Sequence, residues 1–218
     1  MPQDSRGPKR FDALIVDFGG VLTTPLQDAF IAFAMSSGIE LQDLVRAALK
    51  AYAGESDSLV TDLETGRIPE NEFGREFARR LSEETGVQID SEGIVDRLFS
   101  GMRLEESMLA ALGSVREAGF KTAMLSNSWS LDHYPREVLD PLLDVAIISA
   151  EVGMRKPDPE IYALTTSKLG VSPDRCVFVD DHPGHLEAAR EAGMTTVLHR
   201  SPAQTISELS SLLGIDLT

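Results

Sequence analysis

Five short apolar runs constrain the fold of this chain more than any other feature. They are FDALIVDF (11–18), KTAMLSN (121–127), DVAIISA (144–150), RCVFVDD (175–181) and MTTVLHR (194–200). Each is the length of a buried strand, and the first ends on an aspartate followed by two glycines, a turn signal. Amphipathic helical stretches follow at 105–118, 159–169 and 186–192, so strands alternate with helices. That alternation predicts a parallel sheet with helices on both faces.

About 100 residues separate the first run from the second, too many for a simple crossover. They read as almost wholly helical: LQDAFIAFAM (26–35), LQDLVRAALKAY (41–52), ENEFGREFARRL (70–81) and SEGIVDRLF (91–99) carry apolar residues at three- and four-residue spacing. Asp90 or Ser91 is the expected cap of the last helix. The division that follows is a core domain of residues 1–25 and 100–218 with an inserted helical domain of residues 26–99. The aromatic residues of the insertion, Phe30, Phe33, Tyr52, Phe73, Phe77 and Phe99, are expected to form its own core. Residues 1–10 are expected to be a loose arm, and SPAQTISELSSLLGI (201–215) a final capped helix.

Composition narrows the function. The formal net charge is −15 over 218 residues, a field that disfavours nucleic acid and anionic membrane. A small anionic substrate stays compatible, because a local cation can reverse the field inside a pocket. The single cysteine, Cys176, rules out a disulfide within the chain and reads as a buried, inert thiol. No apolar stretch approaches the roughly 20 residues a membrane span needs, and no leader-like segment opens the chain, so a cytoplasmic location is expected.

In open α/β sheets ligands bind at the carboxyl ends of strands. The polar residues expected there are Asp17, Gly19 and Gly20 after the first strand and Ser126 and Asn127 after the second. Arg155 and Lys156 follow the third, and Asp180, Asp181 and His182 the fourth. A carboxylate can attack phosphorus and form an acyl phosphate that water then cleaves. Repulsion from an anionic substrate calls for a hard dication on oxygen ligands, and the acids suit Mg²⁺. The Ser126 hydroxyl, backbone N–H groups and the Lys156 ammonium can hold phosphoryl oxygens, while Gly19 and Gly20 let the backbone approach.

With these residues placed, the chain resembles the haloacid dehalogenase superfamily. Its four motifs are matched in order by DFGGV (17–21), MLSN (124–127), GMRKPDPEIY (153–162) and VFVDDHPGHLEAAREAGM (177–194). KTAMLSNSW (121–129) is also similar to the phosphatase-like N-terminal domain of soluble epoxide hydrolases. The resemblance implies a Rossmann-like parallel sheet of order 5-4-1-2-3 and a helical cap of the first type. It implies Asp17 as nucleophile and metal ligand, with Mg²⁺ also on the Gly19 carbonyl, Asp181 and Asp180. Ser126, Asn127, Lys156 and Gly20 would form the phosphoryl site of a small phosphorylated metabolite.

One departure matters. The second aspartate of the family's first motif, which protonates the leaving group and activates water, is glycine at position 19. Three readings stay open: a substrate with a good leaving group, a substitute acid/base among His182, His185 and His133, or weak turnover. The rival functions are a haloacid dehalogenase acting on carbon and a phosphometabolite-binding module without turnover. Trp129 is expected to anchor its loop, and Arg155 to pair with a surface acid.

Overall fold

The computed structural model describes residues 10–52 and 58–217; the arm expected over 1–10 lies outside them except for Arg10. In chain order the elements are β1 (Ala13–Val16), α1 (Leu26–Ser37), α2 (Leu41–Tyr52), α3 (Leu59–Glu64), α4 (Glu70–Thr85), α5 (Ile94–Phe99), α6 (Glu106–Glu117) and β2 (Lys121–Ser126). They continue with α7 (Arg136–Leu139), β3 (Val145–Ile148), α8 (Ser149–Val152), α9 (Pro159–Leu169), β4 (Cys176–Asp180), α10 (Pro183–Glu191), β5 (Thr195–Leu198) and α11 (Pro202–Leu213).

All five strands are parallel, in the order β3-β2-β1-β4-β5, the expected order read from its other edge. β1 is central and every side chain on it is buried, which is why it reads as a continuous apolar run rather than an alternating one. Alternate residues feed two cores. Leu14, Val16, Met124, Val177 and Val179 pack on the face covered by α6 and α11. Ala13, Ile15, Ala123, Leu125 and Phe178 pack on the face covered by α9 and α10. A one-residue slip of β1 would exchange the two sets.

α1–α5 build a third apolar cluster around Phe33, Leu44, Phe73, Phe77, Leu81 and Leu98. Phe30 and Phe99 pack against it partly buried, so of the six aromatic residues expected to form this core Tyr52, 41% exposed, is the one that stands outside it. A second expectation also fails. α5 starts after Gly93, at φ 57°, with no side-chain cap; Asp90 Oδ1 instead accepts from the Glu92 N–H two residues on and closes a local turn. α10 starts three residues earlier than its periodicity suggested, because Pro183 is prefigured for a first helical turn. The final helix is capped as expected, Ser201 Oγ accepting from the Gln204 N–H.

The helical group meets the sheet domain through α3. Gly66, just past α3 at φ 69°, lies so close to α8 that a Cβ there would stand 2.6 Å from the Ala150 carbonyl oxygen. Only glycine permits both that conformation and that approach.

Candidate active site

The site is fixed by strand register. Val16 is level with Met124 on one side and Val179 on the other, so Asp17 and Asp180 emerge level at the carboxyl end of the sheet and Ser126 one residue further along its neighbouring strand. The Asp17 N–H donates to the Val179 carbonyl at 2.9 Å, holding the strand end to β4. The backbone then turns at Gly20, φ 75°, where a Cβ would come within 2.5 Å of Asp181 Oδ2. Glycine is required there, and it brings the turn and the Asp181 carboxylate together.

Lys156 is fully buried and bridges two acids, with Nζ 2.9 Å from Asp17 Oδ1 and 2.7 Å from Asp180 Oδ2. Burial alone would discharge this ammonium, but Asp17 and Asp180 outweigh it and hold its proton more tightly than usual. The two acids diverge. Burial pushes Asp17 up to about 8 against the pull of Lys156, with Asp180 and Asp181 adding repulsion. Asp180 is equally desolvated, yet Lys156 and then His185 hold it below the ordinary carboxylate range. His185 Nδ1 lies 3.1 Å from both Asp180 oxygens, and burial keeps its ring below the usual histidine range.

The other expected site residues fall as follows. Asn127 Oδ1 accepts from the Lys156 N–H at 2.8 Å and its Nδ2 donates to the Lys156 carbonyl at 3.0 Å, so it fixes the backbone that carries the lysine. Ser126 Oγ accepts from the Tyr134 hydroxyl at 2.9 Å and donates to the Asn127 carbonyl in a long contact of 3.4 Å. His182 caps α10, donating its N–H to Asp180 Oδ1 at 2.7 Å, with its ring 4.4 Å from that of His185. His133 is drawn away toward the helices: Nε2 sits 2.9 Å from Asp96 Oδ1 and the ring packs edge-on to Phe99.

Asp17, Asp180 and His185 offer ligand atoms that all lie within 4.8 Å of one another; Asp181 stands beside Gly20 and is not in that group. Three carboxylates, Asp17, Asp180 and Asp181, face one ammonium, and their repulsion adds to the burial that drives Asp17 to keep a proton. A dication with a preference for oxygen fits the carboxylates of this donor set.

Above the strand ends a cavity of about 540 Å³ separates the sheet domain from α1–α5. Asp17, Ser126, Lys156, Asp181, His182 and His185 line its floor, and Leu26, Phe30, Leu49, Tyr52, Phe99 and Trp129 its walls and roof. Trp129 does anchor its loop, but into the helical group: its ring meets Phe73 at 5.3 Å and Phe99 at 5.5 Å, both edge-on.

Two residues escaped the sequence reading. Glu64, at the end of α3, is 2% exposed and accepts from the Tyr52 hydroxyl and Trp129 Nε1, each at 3.1 Å. Arg155 Nε lies 2.7 Å from it, so Arg155 pairs with a buried acid of the helical group rather than with a surface one. Arg155 also donates to Thr61 Oγ1 at 2.9 Å. The only signal for Glu64 was its place in the polar segment SDSLVTDLETGRIPENEF (56–73), of which residues 56–57 lie outside the described residues. Tyr134 carried no signal beyond lying in the loop after β2.

Fold and site together define a hydrolase with a strand-end aspartate beside a buried lysine. Haloacid dehalogenase-like hydrolases match residues 11–193, and the chain belongs to that family. It is 38% identical to phosphatase MT3486 of Mycobacterium tuberculosis over 93% of this chain and 95% of that one. It is 31% identical to bifunctional epoxide hydrolase 2 of Sus scrofa over 94% of this chain, but spans only 39% of that protein's length. A HAD family enzyme of Bacteroides thetaiotaomicron, solved with magnesium and inorganic phosphate, shares the fold at a TM-score of 0.65. It is 22% identical, over 87% of this chain and 94% of that one. Among the described residues, no helix is long and apolar enough to cross a membrane.

Proposed function

We propose that this hydrolase is an Mg²⁺-dependent phosphatase of a small phosphorylated metabolite, acting through an aspartyl phosphate on Asp17. The observation that carries the reading is the charge arrangement: one fully buried ammonium, Lys156, shared by Asp17 and Asp180, with Asp181 beside them. Such a cluster suits a divalent cation together with a phosphoryl group better than it suits the uncharged carbon of a haloacid. The relative named a phosphatase, matched along nearly its full length, supports the same choice.

In this reading Asp17 attacks phosphorus while Lys156 keeps its carboxylate oriented and draws on a phosphoryl oxygen. Ser126 meets a further oxygen with its hydroxyl, while Asn127 acts by fixing the Lys156 backbone and the Gly20 N–H is held by Thr23 Oγ1 at 3.0 Å. Mg²⁺, held by Asp17, the Gly19 carbonyl, Asp181 and Asp180, supplies positive charge against the anionic substrate. Residues 26–99 act as a cap over the core of residues 1–25 and 100–218, and α3 is the part of the cap tied to that core.

The test is phosphate release from a panel of phosphomonoesters with Mg²⁺ or EDTA, beside the Asp17→Asn variant. Release that needs both Mg²⁺ and Asp17 is the expected result. Asp17-dependent chloride release from 2-haloacids, with no phosphate from any ester, would overturn it.

A further inference from the structure

Resting on the phosphatase reading, we propose that the substrate is an aryl phosphate, the monoester of a ring hydroxyl that leaves as its phenolate without being protonated by the enzyme. The argument begins with direction. Asp17 approaches phosphorus from the strand end, so the leaving oxygen departs in line on the far side, into the cavity beneath α1, α2 and α5. What lines that side decides which leaving groups can depart.

The wall next to Asp17 offers no acid. Gly19 has no side chain, and the space where one would begin is bounded by Leu26, whose Cδ1 and Cδ2 would stand in ordinary contact at 3.6 Å from a Cβ there. Beyond it the lining is Phe30, Leu49, Phe99 and Met102. Glu64 is the carboxyl group on the cap side of the cavity, and it is committed to Arg155, Tyr52 and Trp129. His133 is turned to Asp96. His182 and His185 lie on the floor with Asp17, so an alkoxide expelled away from that floor would carry its full charge in among apolar side chains. A phenolate spreads its charge over a ring and is the anion of an acid of pKa about 10.

The same walls fit the ring itself. Phe30, Tyr52, Phe99 and Trp129 contribute aromatic surface, and about 540 Å³ accommodates a ring system as well as the phosphoryl group. The reaction balances without an added acid. The bond from Asp17 to phosphorus forms as the phosphorus–oxygen bond to the ring breaks, and its electron pair leaves on the phenolate, which takes a proton from solvent. Water then adds to phosphorus, the pair of the breaking bond returns to Asp17, and the water's proton passes to solvent.

The experiment is a leaving-group series at fixed Mg²⁺. It uses 4-nitrophenyl, phenyl and 4-methoxyphenyl phosphate, n-butyl phosphate and acetyl phosphate, with kcat/KM read because it reports the first chemical step. From 4-nitrophenyl to n-butyl phosphate we expect a fall of at least about 10²-fold, the factor a positioned acid would otherwise contribute. Gly19→Asp, for which the built Cβ finds only ordinary contacts, should raise n-butyl phosphate turnover by about 10²-fold more than that of 4-nitrophenyl phosphate. Binding gives a second readout: in Asp17→Asn, phenylphosphonate should change the emission of Trp129, the sole tryptophan, at lower concentration than methylphosphonate does. Equal kcat/KM across the series, or a Glu64→Gln variant that selectively loses butyl phosphate turnover, would overturn the inference and leave the phosphatase standing. Acetyl phosphate outrunning every phenyl ester would overturn its aromatic part. No Asp17-dependent release from any member would overturn the phosphatase reading itself.

Discussion

Replacing Arg155 by methionine keeps most of its apolar stem and removes the cation beside Glu64. Glu64 is 2% exposed, and burial already raises its carboxyl above the ordinary value of 4.5 while Arg155 pulls it down. Without Arg155 the carboxyl rises further. The sign follows from linkage. A folded-state pKa above the unfolded one means that the folded protein binds more protons over that window, so stability falls as pH rises through it. The cost of Arg155→Met is therefore smaller at pH 5 than at pH 8, and grows as pH rises between them. Breaking a buried pair typically costs 3–5 kcal/mol, and because the Arg155 side chain keeps 19% exposure the lower end, about 3 kcal/mol, applies. For a protein of this size that is a fall in Tm of about 6–12 °C at pH 8. Urea and thermal unfolding in EDTA, followed by Trp129 emission and repeated from pH 5 to 8, measure it. The double variant Arg155→Met with Glu64→Gln should lose most of the pH-dependent part. A cost below about 1 kcal/mol at pH 8, the level of an exposed pair, would refute the reasoning, as would a cost equal at pH 5 and 8.

Tyr134→Phe removes the hydrogen bond that holds the Ser126 hydroxyl in place; inorganic phosphate should bind about five- to tenfold more weakly, the worth of one hydrogen bond, as read by competitive inhibition. Burial pushes the Cys176 thiol up to about 12, so iodoacetamide at pH 8 should leave the folded protein unmodified and label it only in denaturant, as mass spectrometry would report. On the exposed face of α4, Arg79 and Arg80 hold Glu76 down to about 2, from an ordinary 4.5. Its contribution is present above 4.5 and lost as pH falls toward 2; comparing Glu76→Gln with the parent protein in acid titrations should show a small difference that 1 M salt removes.

The strands were legible because a sheet covered on both faces demands apolar residues along its length, and β1 meets that demand throughout and β4 up to its last residue, Asp180. Strand order was not legible from apolar runs alone; it came through the spacing of four motifs and what they resemble. Asp17, Ser126, Asn127 and Lys156 could be singled out because each stands where an apolar run ends or just beyond one. The failures have a common cause. Glu64 lies in a polar helix, and its burial depends on Arg155, Tyr52 and Trp129, which come from three other segments. Trp129 could be read as an anchor, but not as one planted in the helical group rather than in its own domain. The start of α5 was misplaced because an Asx turn and a helix cap use the same residue types, and only backbone geometry tells them apart.

The two halves of the site obey different physics. The floor is electrostatic: Asp17 and Asp180 stand level on neighbouring strands with Ser126 one residue on, and a shift of β1 or β4 would separate Lys156 from one of its acids. The roof is apolar and comes from α1, α2 and α5, packed in their own cluster with Trp129 of the loop after β2 set against it. Leu26 is where the two meet. It opens α1, follows the strand-one turn by a few residues, and bounds the space over Gly19. Leu26 and Gly19 therefore act as one unit: restoring an acid at position 19 while Leu26 stays in place would put a carboxyl against a leucine side chain, raise its pKa and favour its protonated form. That form is the one able to donate to a leaving group, which is why the single change Gly19→Asp suffices as the test and Leu26 need not be altered with it.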